Sequence, residues 1–324
     1  MFLLLSACAQ IAANYGAPAD PADPTEIIVE IPAGTSARTL GPLLEAQKVV
    51  ESGEDFTLYV RLTKEGGCLK AGRFKLRRNM GAAELLKTVC GVPLPEDIPF
   101  TVVEGWRIRE IDAALAAKGW TQPGEYAALA ANPTAFKAAF PLAEASLEGY
   151  LFPETYMVIP EKWSTQDFMQ RQLDLFAERF YLPNKAAIES NGKGLADLVI
   201  MASMLEKEEP TKDQRPLVAG ILWKRIGASW NLGVDATSRY TLEDWNDRKA
   251  FLKQLRDPSD PYNTRLRPGL PPTPISNPGL TALTAALAPT ESEYWYYLHD
   301  DKKNIHPARD EAEHERNRAT YNVY

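Results

Sequence analysis

Between Leu198 and Leu205 the chain is apolar at every position except Ser203, and the run ends abruptly in Glu206-Lys207-Glu208-Glu209-Pro210. A helix over 195–208 with such a segment has no polar face, so it must be buried most of the way round. That requires a domain with other helices packed on all sides of it. Helical spacing aligns Glu206 with Val199, Ala202 and Ser203. The carboxyl therefore sits where a buried, small-residue face meets the helix end. Desolvation there would raise its pKa, as a general acid at neutral pH needs. Lys207, Glu208 and Glu209 would point elsewhere. On spacing alone the plainer reading has the stronger claim: a solvated acidic run that closes a helix before proline.

The rest of the chain supplies such a domain. Likewise periodic helices are expected over 124–131, 165–181, 211–226, 243–255, 279–288 and 310–322, with a late strand at Tyr294–Leu298. Proline-rich segments separate them, densest over 257–278, where the backbone must be extended or turned. Upstream, Glu26–Ile31 and Arg73–Leu76 read as strands, with helices around Leu40–Leu44 and Met80–Val89. Phe100–Val103 is a further strand and Arg107–Lys118 a further helix. Aligning Gly34 with Gly105 pairs Arg38 with Arg109, Leu40 with Ile111 and Leu44 with Leu115, a weak two-copy strand, glycine turn and helix. The expected fold class is α+β: a small αβ module over 26–98, then a mainly helical mixed domain over 99–324.

Composition narrows the chemistry. The chain has 324 residues, 45% hydrophobic and 24% charged, which suits globular domains and excludes wholesale disorder. Lys and Arg total 36 against 43 acids, a net charge of −7, so no nucleic-acid partner is expected. The P-loop, dinucleotide, HExxH and GxSxG motifs are absent. Ser190-Asn-Gly-Lys193 fits S-x-x-K, but reads as a turn rather than a helix start. His299, His306 and His314 fit no common zinc spacing. No cofactor is implied, and carboxylates remain as the catalytic candidates.

The N-terminus bears on location. Residues 1–13 carry no charge and resemble the end of an export signal or membrane anchor that starts too late, followed by a linker to residue 25. Leu5-Ser6-Ala7-Cys8 alternatively resembles a lipobox. Cys68 and Cys90 could form a disulfide in an exported protein or stay as buried thiols.

Three further clusters accompany the acid helix. Leu147-Glu148-Gly149-Tyr150-Leu151-Phe152-Pro153-Glu154-Thr155-Tyr156 combines aromatics and acids around a turn, suited to a carbohydrate cleft or to a packed corner. Asn231–Tyr240 carries Asp235 and Thr237. Tyr262-Asn263-Thr264 precedes Gly269-Leu-Pro-Pro-Thr-Pro-Ile-Ser-Asn-Pro-Gly279, a rigid loop of the kind that loses little entropy on binding.

Taken in order, these four clusters resemble the endolytic murein transglycosylases of the YceG-like family, from about residue 26 to the C-terminus. IPAGTSARTL, AGRFKL and VVEGWRIREI resemble the family's LysM-like region, LEGYLFPETY its signature turn, and MASMLEKE the helix of its catalytic glutamate, here Glu206. Arg225, Leu232, Asp235, Thr237 and Tyr240 match the stretch downstream. Departures are Thr273 for glycine, Ala236 for proline, Arg265 for an aromatic residue, and His306-Pro307-Ala308 for His-x-Phe.

The resemblance implies a lyase that cuts the β-1,4 bond between N-acetylmuramic acid and N-acetylglucosamine, with Glu206 as acid and then base. It implies substrate contacts from Glu148, Tyr150, Asp235, Thr237, Tyr262 and Asn263. It implies no metal or organic cofactor, glycan strands of peptidoglycan as partner together with penicillin-binding synthases, and a bacterial inner-membrane anchor with the catalytic domain in the periplasm. A hydrolytic muramidase would instead need a second carboxylate, from Glu148 or Asp235. A non-catalytic glycan-binding scaffold would need none.

Overall fold

The computed structural model describes residues 15–323. The anchor-like segment over 1–13, Cys8 included, lies outside the described residues. The chain divides after Ile98 into two compact units.

The first unit is β1 (Glu26–Ile31), α1 (Ala37–Ala46), α2 (Gly53–Thr63), β2 (Gly72–Arg77) and α3 (Ala82–Val89). The strands pair antiparallel, with Val29 opposite Phe74 and Ile27 opposite Leu76. Alternation sends Val29, Ile31, Phe74 and Leu76 into a core with Leu40, Leu44, Phe56 and Leu85. Sequence patterning gives no element where α2 lies, because Phe56-Thr-Leu-Tyr-Val60 is rich in strand formers. Ser52 decides otherwise: its side chain caps the helix by accepting from the Asp55 N–H at 3.1 Å. Cys68 and Cys90 form a disulfide with Cα atoms 5.1 Å apart, tying the loop before β2 to the end of α3.

The second unit opens on β3 (Ile98–Thr101), α4 (Ile108–Ala117), α5 (Glu125–Ala130) and β4 (Thr155–Val158), and β3 pairs with β4. Next come α6 (Thr165–Phe176), a π-helical turn (Ala177–Tyr181) and α7 (Leu182–Ser190). The expected helix ended at residue 181. Instead the wide turn carries the chain on past Pro183, which has no N–H for the carbonyl four residues back. The unit continues with α8 (Leu195–Glu208), α9 (Arg215–Gly227), α10 (Asp235–Arg239), α11 (Arg248–Gln254) and α12 (Leu280–Leu287). It closes with β5 (Tyr296–His299), β6 (Ile305–Ala308) and α13 (Glu311–Tyr321). The expected helix over 243–255 shortens to α11 because Asp247 caps it, accepting from the Ala250 N–H at 2.9 Å.

The fold is α+β, as the patterning implies, with three small two-stranded sheets among the described residues. Helix α8 is the centre of the larger core. Leu198, Val199, Met201, Ala202, Met204 and Leu205 are fully buried among residues from most other elements of the unit. The two-copy unit is also present. Gly34 and Gly105 both take left-handed backbone, with φ of +81° and +80°. Each is followed by a helix whose third residue caps the first turn, Thr39 on the Ser36 N–H and Glu110 on the Arg107 N–H. The paired Leu40 and Ile111, and Leu44 and Leu115, are all fully buried.

Candidate active site

The face of α8 that carries Glu206 packs along its length against the proline-rich loop. At Val199 it meets the 147–156 turn and the loop together: a Cβ on Gly149 would lie 2.7 Å from Val199 and 2.6 Å from Pro274. One turn on, the Ser203 hydroxyl accepts from the Ile275 N–H at 2.9 Å and donates to the Ile200 carbonyl at 2.7 Å. At the end, Glu206 Oε2 accepts from the Gly279 N–H at 3.0 Å. A Cβ on Gly279 would stand 2.2 Å from the Glu104 carboxylate, so that side chain would have to swing away.

Glu206 is held by a second group. Arg215, the first residue of α9, places Nη2 2.7 Å from Oε1 and Nη1 3.1 Å from Oε2. The two side chains are only 3% and 6% exposed, so this is a buried, two-pronged pair. A short 3₁₀ turn at Lys212–Gln214 returns the chain so that α9 begins beside the end of α8. Arg215 also donates through Nε to the Glu209 carbonyl and through Nη1 to Thr281 Oγ1. Thus the desolvated carboxyl expected from spacing is present, and it faces a guanidinium that spacing did not indicate.

The neighbours of Glu206 diverge. The Lys207 ammonium lies 4.6 Å from the centre of the Trp245 ring, and burial pushes its pKa down. Glu208 accepts from the Tyr297 hydroxyl at 3.2 Å. Glu209 is fully buried and joins His299 Nε2 at 2.8 Å, and this bond holds the imidazole above its ordinary pKa. A solvated acidic run is therefore not what ends this helix.

Glu148 forms the second buried carboxyl. Both its oxygens accept from the Ile108 N–H, at 3.1 and 3.2 Å, at the start of α4. Asn277 Nδ2 donates to Oε1 at 3.0 Å and the Tyr240 hydroxyl to Oε2 at 3.2 Å. Burial pushes its pKa up to about 8 despite these donors. Asn277 ties the site together: Oδ1 accepts from the Gly149 and Leu151 N–H groups, and Nδ2 donates to the Trp106 carbonyl as well as to Glu148. Sequence patterning placed Asn277 in a rigid loop without giving it this task. Arg215 was missed altogether, although its position nine residues after Glu206 on a second helix is the one signal available.

The remaining predicted residues fall in different places. Tyr262 is half-exposed, 4.9 Å ring to ring from Tyr240, with its hydroxyl 2.8 Å from Thr273 Oγ1. Asp235 is 42% exposed at its side chain and pairs with Arg265 at 2.6 Å. Three others are sealed. Tyr150 is 1% exposed among Phe140 and Phe176. The Thr237 hydroxyl donates to the Val234 carbonyl and lies 3.0 Å from that of Thr264. Asn263 donates to the carbonyls of Gln254, Leu255 and Asp257. These three shape the walls from behind rather than present polar atoms to a ligand. A cavity of about 380 Å³ opens beside the site, with Val103, Glu104, Glu154, Arg179 and Leu280 in its lining.

Among the described residues no three His, Cys, Asp or Glu side chains come together as a metal site. The same region has no helix long and apolar enough to cross a membrane.

Known proteins are similar to this chain. The endolytic murein transglycosylase of Bacillus subtilis strain 168 is 28% identical over 297 residues, 87% of this chain and 81% of that protein. That of Streptococcus pneumoniae serotype 2 strain D39 is 25% identical over 333 residues, 94% of this chain, which spans only 60% of the pneumococcal protein. A YceG-like protein of Listeria monocytogenes, known from its crystal structure, aligns with a TM-score of 0.60 at 25% identity, covering 90% of this chain and 99% of that one. A model of the YceG-like family matches residues 29–320. That match takes in the Glu206 helix, the Glu148 turn and the proline-rich loop together, and with it the chain belongs to the YceG-like family.

Proposed function

We propose that this protein is an endolytic murein transglycosylase that cuts the β-1,4 bond from N-acetylmuramic acid to N-acetylglucosamine and leaves a 1,6-anhydro end. The observation that carries the reading is the buried carboxyl of Glu206, held at both oxygens by Arg215 and Gly279. The names of the Bacillus and pneumococcal relatives point the same way.

In this reading Glu206 delivers a proton to the leaving glycosidic oxygen as the C1–O bond breaks, and the muramic ring passes through an oxocarbenium-like state. The carboxylate so formed is stabilised by the Arg215 fork and the Gly279 N–H. It then takes the proton of the C6 hydroxyl, whose oxygen closes on C1 of the same ring. The nucleophile is already positioned within the substrate, so one carboxylate suffices. Glu148 accepts from the Ile108 N–H, the Asn277 amide and the Tyr240 hydroxyl, and is not taken as a second catalytic carboxyl. It acts instead as a positioning residue for Tyr240, and through the ring contact for Tyr262, which faces the substrate. Asp235, at the exposed rim, is assigned to sugar hydroxyls.

The first unit, a three-helix, two-strand module with an antiparallel pair, is assigned as LysM-like and glycan-binding. The Cys68–Cys90 disulfide supports an oxidising, extracytoplasmic compartment. Membrane attachment through the N-terminus and work beside the synthases that make nascent strands complete the reading.

The test is digestion of purified peptidoglycan by the wild type and by Glu206→Gln, with mass spectrometry of the new ends. Anhydro-muramic ends from the wild type alone are expected. Reducing ends would make the protein a hydrolase, and anhydro ends from both forms would remove Glu206 as the acid.

A further inference from the structure

The larger unit carries an aromatic cluster that the reaction at Glu206 does not use. Trp230, in the loop after α9, meets Trp295 edge-on with ring centres 5.2 Å apart and Tyr296 at 5.4 Å. Cations brace the rings. Arg225 lies 5.6 Å from the Trp230 ring and 5.7 Å from Tyr296, and Lys224 lies 4.6 Å from Trp295. Arg225 is itself fixed, donating to the carbonyls of Trp295 and Leu232. Tyr296 stacks on His314 at 5.0 Å. A cavity of about 480 Å³ opens over Trp230, Trp295 and Tyr296, and Arg309 and Glu311 stand in its lining.

Three features decide what such a surface takes. Trp230 is 40% exposed, unusual for the largest apolar side chain. The Glu311 side chain makes no hydrogen bond or ion pair to a described residue, its charge acting only on His314 nearby, and no hydrogen bond among the described residues uses either indole N–H. The rings cannot rearrange cheaply, so a ligand would meet a preorganised surface. Rigid ring faces with free acceptors and donors at their edge match a pyranose, which offers a face of C–H bonds and a rim of hydroxyls. The cavity has the size of a small-ligand site.

The cluster is also built into the frame of the catalytic site. Trp230 directly precedes the segment that carries Asp235. Strand β5 presents Tyr296 to the cluster, while the next residue, Tyr297, bonds Glu208.

We propose that Trp230, Trp295 and Tyr296, with Glu311 at the rim, form a second saccharide-binding site, for a β-1,4-linked amino-sugar strand. This deepens the reading of the protein as a glycan-cleaving enzyme, since the occupant belongs to the class of its substrate.

The experiment titrates chitohexaose into the full chain by calorimetry, with the sugar's integrity checked by mass spectrometry. The variants are Trp230→Ala, Trp230→Tyr and Glu311→Gln, each checked for wild-type melting. Loss of one stacking ring should weaken binding by about tenfold in Trp230→Ala, with Trp230→Tyr recovering most of it. Glu311→Gln should weaken it severalfold. Equal affinity in wild type and Trp230→Ala overturns the proposal. So does Trp230-dependent binding of a free stem peptide without binding of the sugar, or self-association that Trp230→Ala abolishes. Should Trp230→Ala lose wild-type melting, the Trp230→Tyr and Glu311→Gln titrations decide, and unchanged affinity in both overturns the site. Anhydro ends from peptidoglycan without Trp230-dependent binding would sink this site and leave the enzyme. Trp230-dependent binding without cleavage would do the reverse.

Discussion

Arg215 and Glu206 meet side by side, two nitrogens on two oxygens at 2.7 and 3.1 Å, with both side chains almost wholly removed from water. Breaking a buried pair by removing one partner leaves an uncompensated charge and costs about 3–5 kcal/mol. Arg215→Met should therefore lower the denaturation midpoint sharply and abolish cleavage. Arg215→Lys keeps the charge but loses the planar fork, and should fold while losing activity on the order of a hundredfold through mispositioning of the carboxyl. Denaturant titration and release of anhydro ends separate the two effects. Wild-type activity in Arg215→Lys would mean that the fork has no part in orienting Glu206.

Glu148 gives a pH dependence with a definite sign. Its folded pKa is raised from 4.5 to about 8, with burial as the main cause. The folded state therefore holds a proton there that the unfolded state releases. The associated stability is complete below 4.5 and is lost as pH rises through about 8. Glu148→Gln mimics the protonated form and should flatten melting temperature against pH over that window. Glu148→Ala strands the Ile108 N–H, the Asn277 amide and the Tyr240 hydroxyl, and should cost about 2–4 kcal/mol at any pH. A Glu148→Gln protein with the wild-type pH slope would assign that slope to another group.

How far the sequence discloses this site depends on the kind of residue. The acid helix was legible because eight positions without a polar face permit only a buried helix, and because a 3.6-residue period fixes which way Glu206 points. Val199, Ser203 and Glu206 do lie along one contact line with the proline-rich loop. Arg215 was not legible, because its partnership depends on a 3₁₀ turn that reverses the chain between two helices. Asn263 resembles a binding residue in sequence, yet its amide is spent on three main-chain carbonyls of the 254–257 turn, a role that leaves no periodic trace. Helix α2 escaped because one cap outweighed the four strand formers Phe56, Thr57, Tyr59 and Val60.

The Glu209–His299 pair fixes the residue whose carbonyl receives Arg215 Nε. His299 is raised above its ordinary 6.5, first through its hydrogen bond to Glu209. The stability it contributes is complete below 6.5 and fades as pH rises through the raised folded value. His299→Gln should remove that part of the alkaline loss, while Glu209→Ala should reduce cleavage by loosening Arg215. Melting curves from pH 6 to 9, read beside the rate of anhydro-end release, test both. Identical activity in Glu209→Ala would disconnect the pair from the site.

The disulfide acts on the other unit. Cys68 precedes β2 and Cys90 ends α3, so the bond closes a loop that contains the second strand of the β1–β2 pair. Restricting the unfolded chain in this way contributes about 2–4 kcal/mol. Reduction of the full chain, or Cys68→Ala with Cys90→Ala, should lower the melting temperature of residues up to Ile98 and leave the transition of the larger unit in place. Hydrogen exchange read separately over 26–89 and 195–287 distinguishes the two. Equal loss of protection in both segments would show that the units unfold together, and no loss in either would show that the packing of Leu40, Leu44, Phe74 and Leu86 holds the smaller unit without the covalent tie.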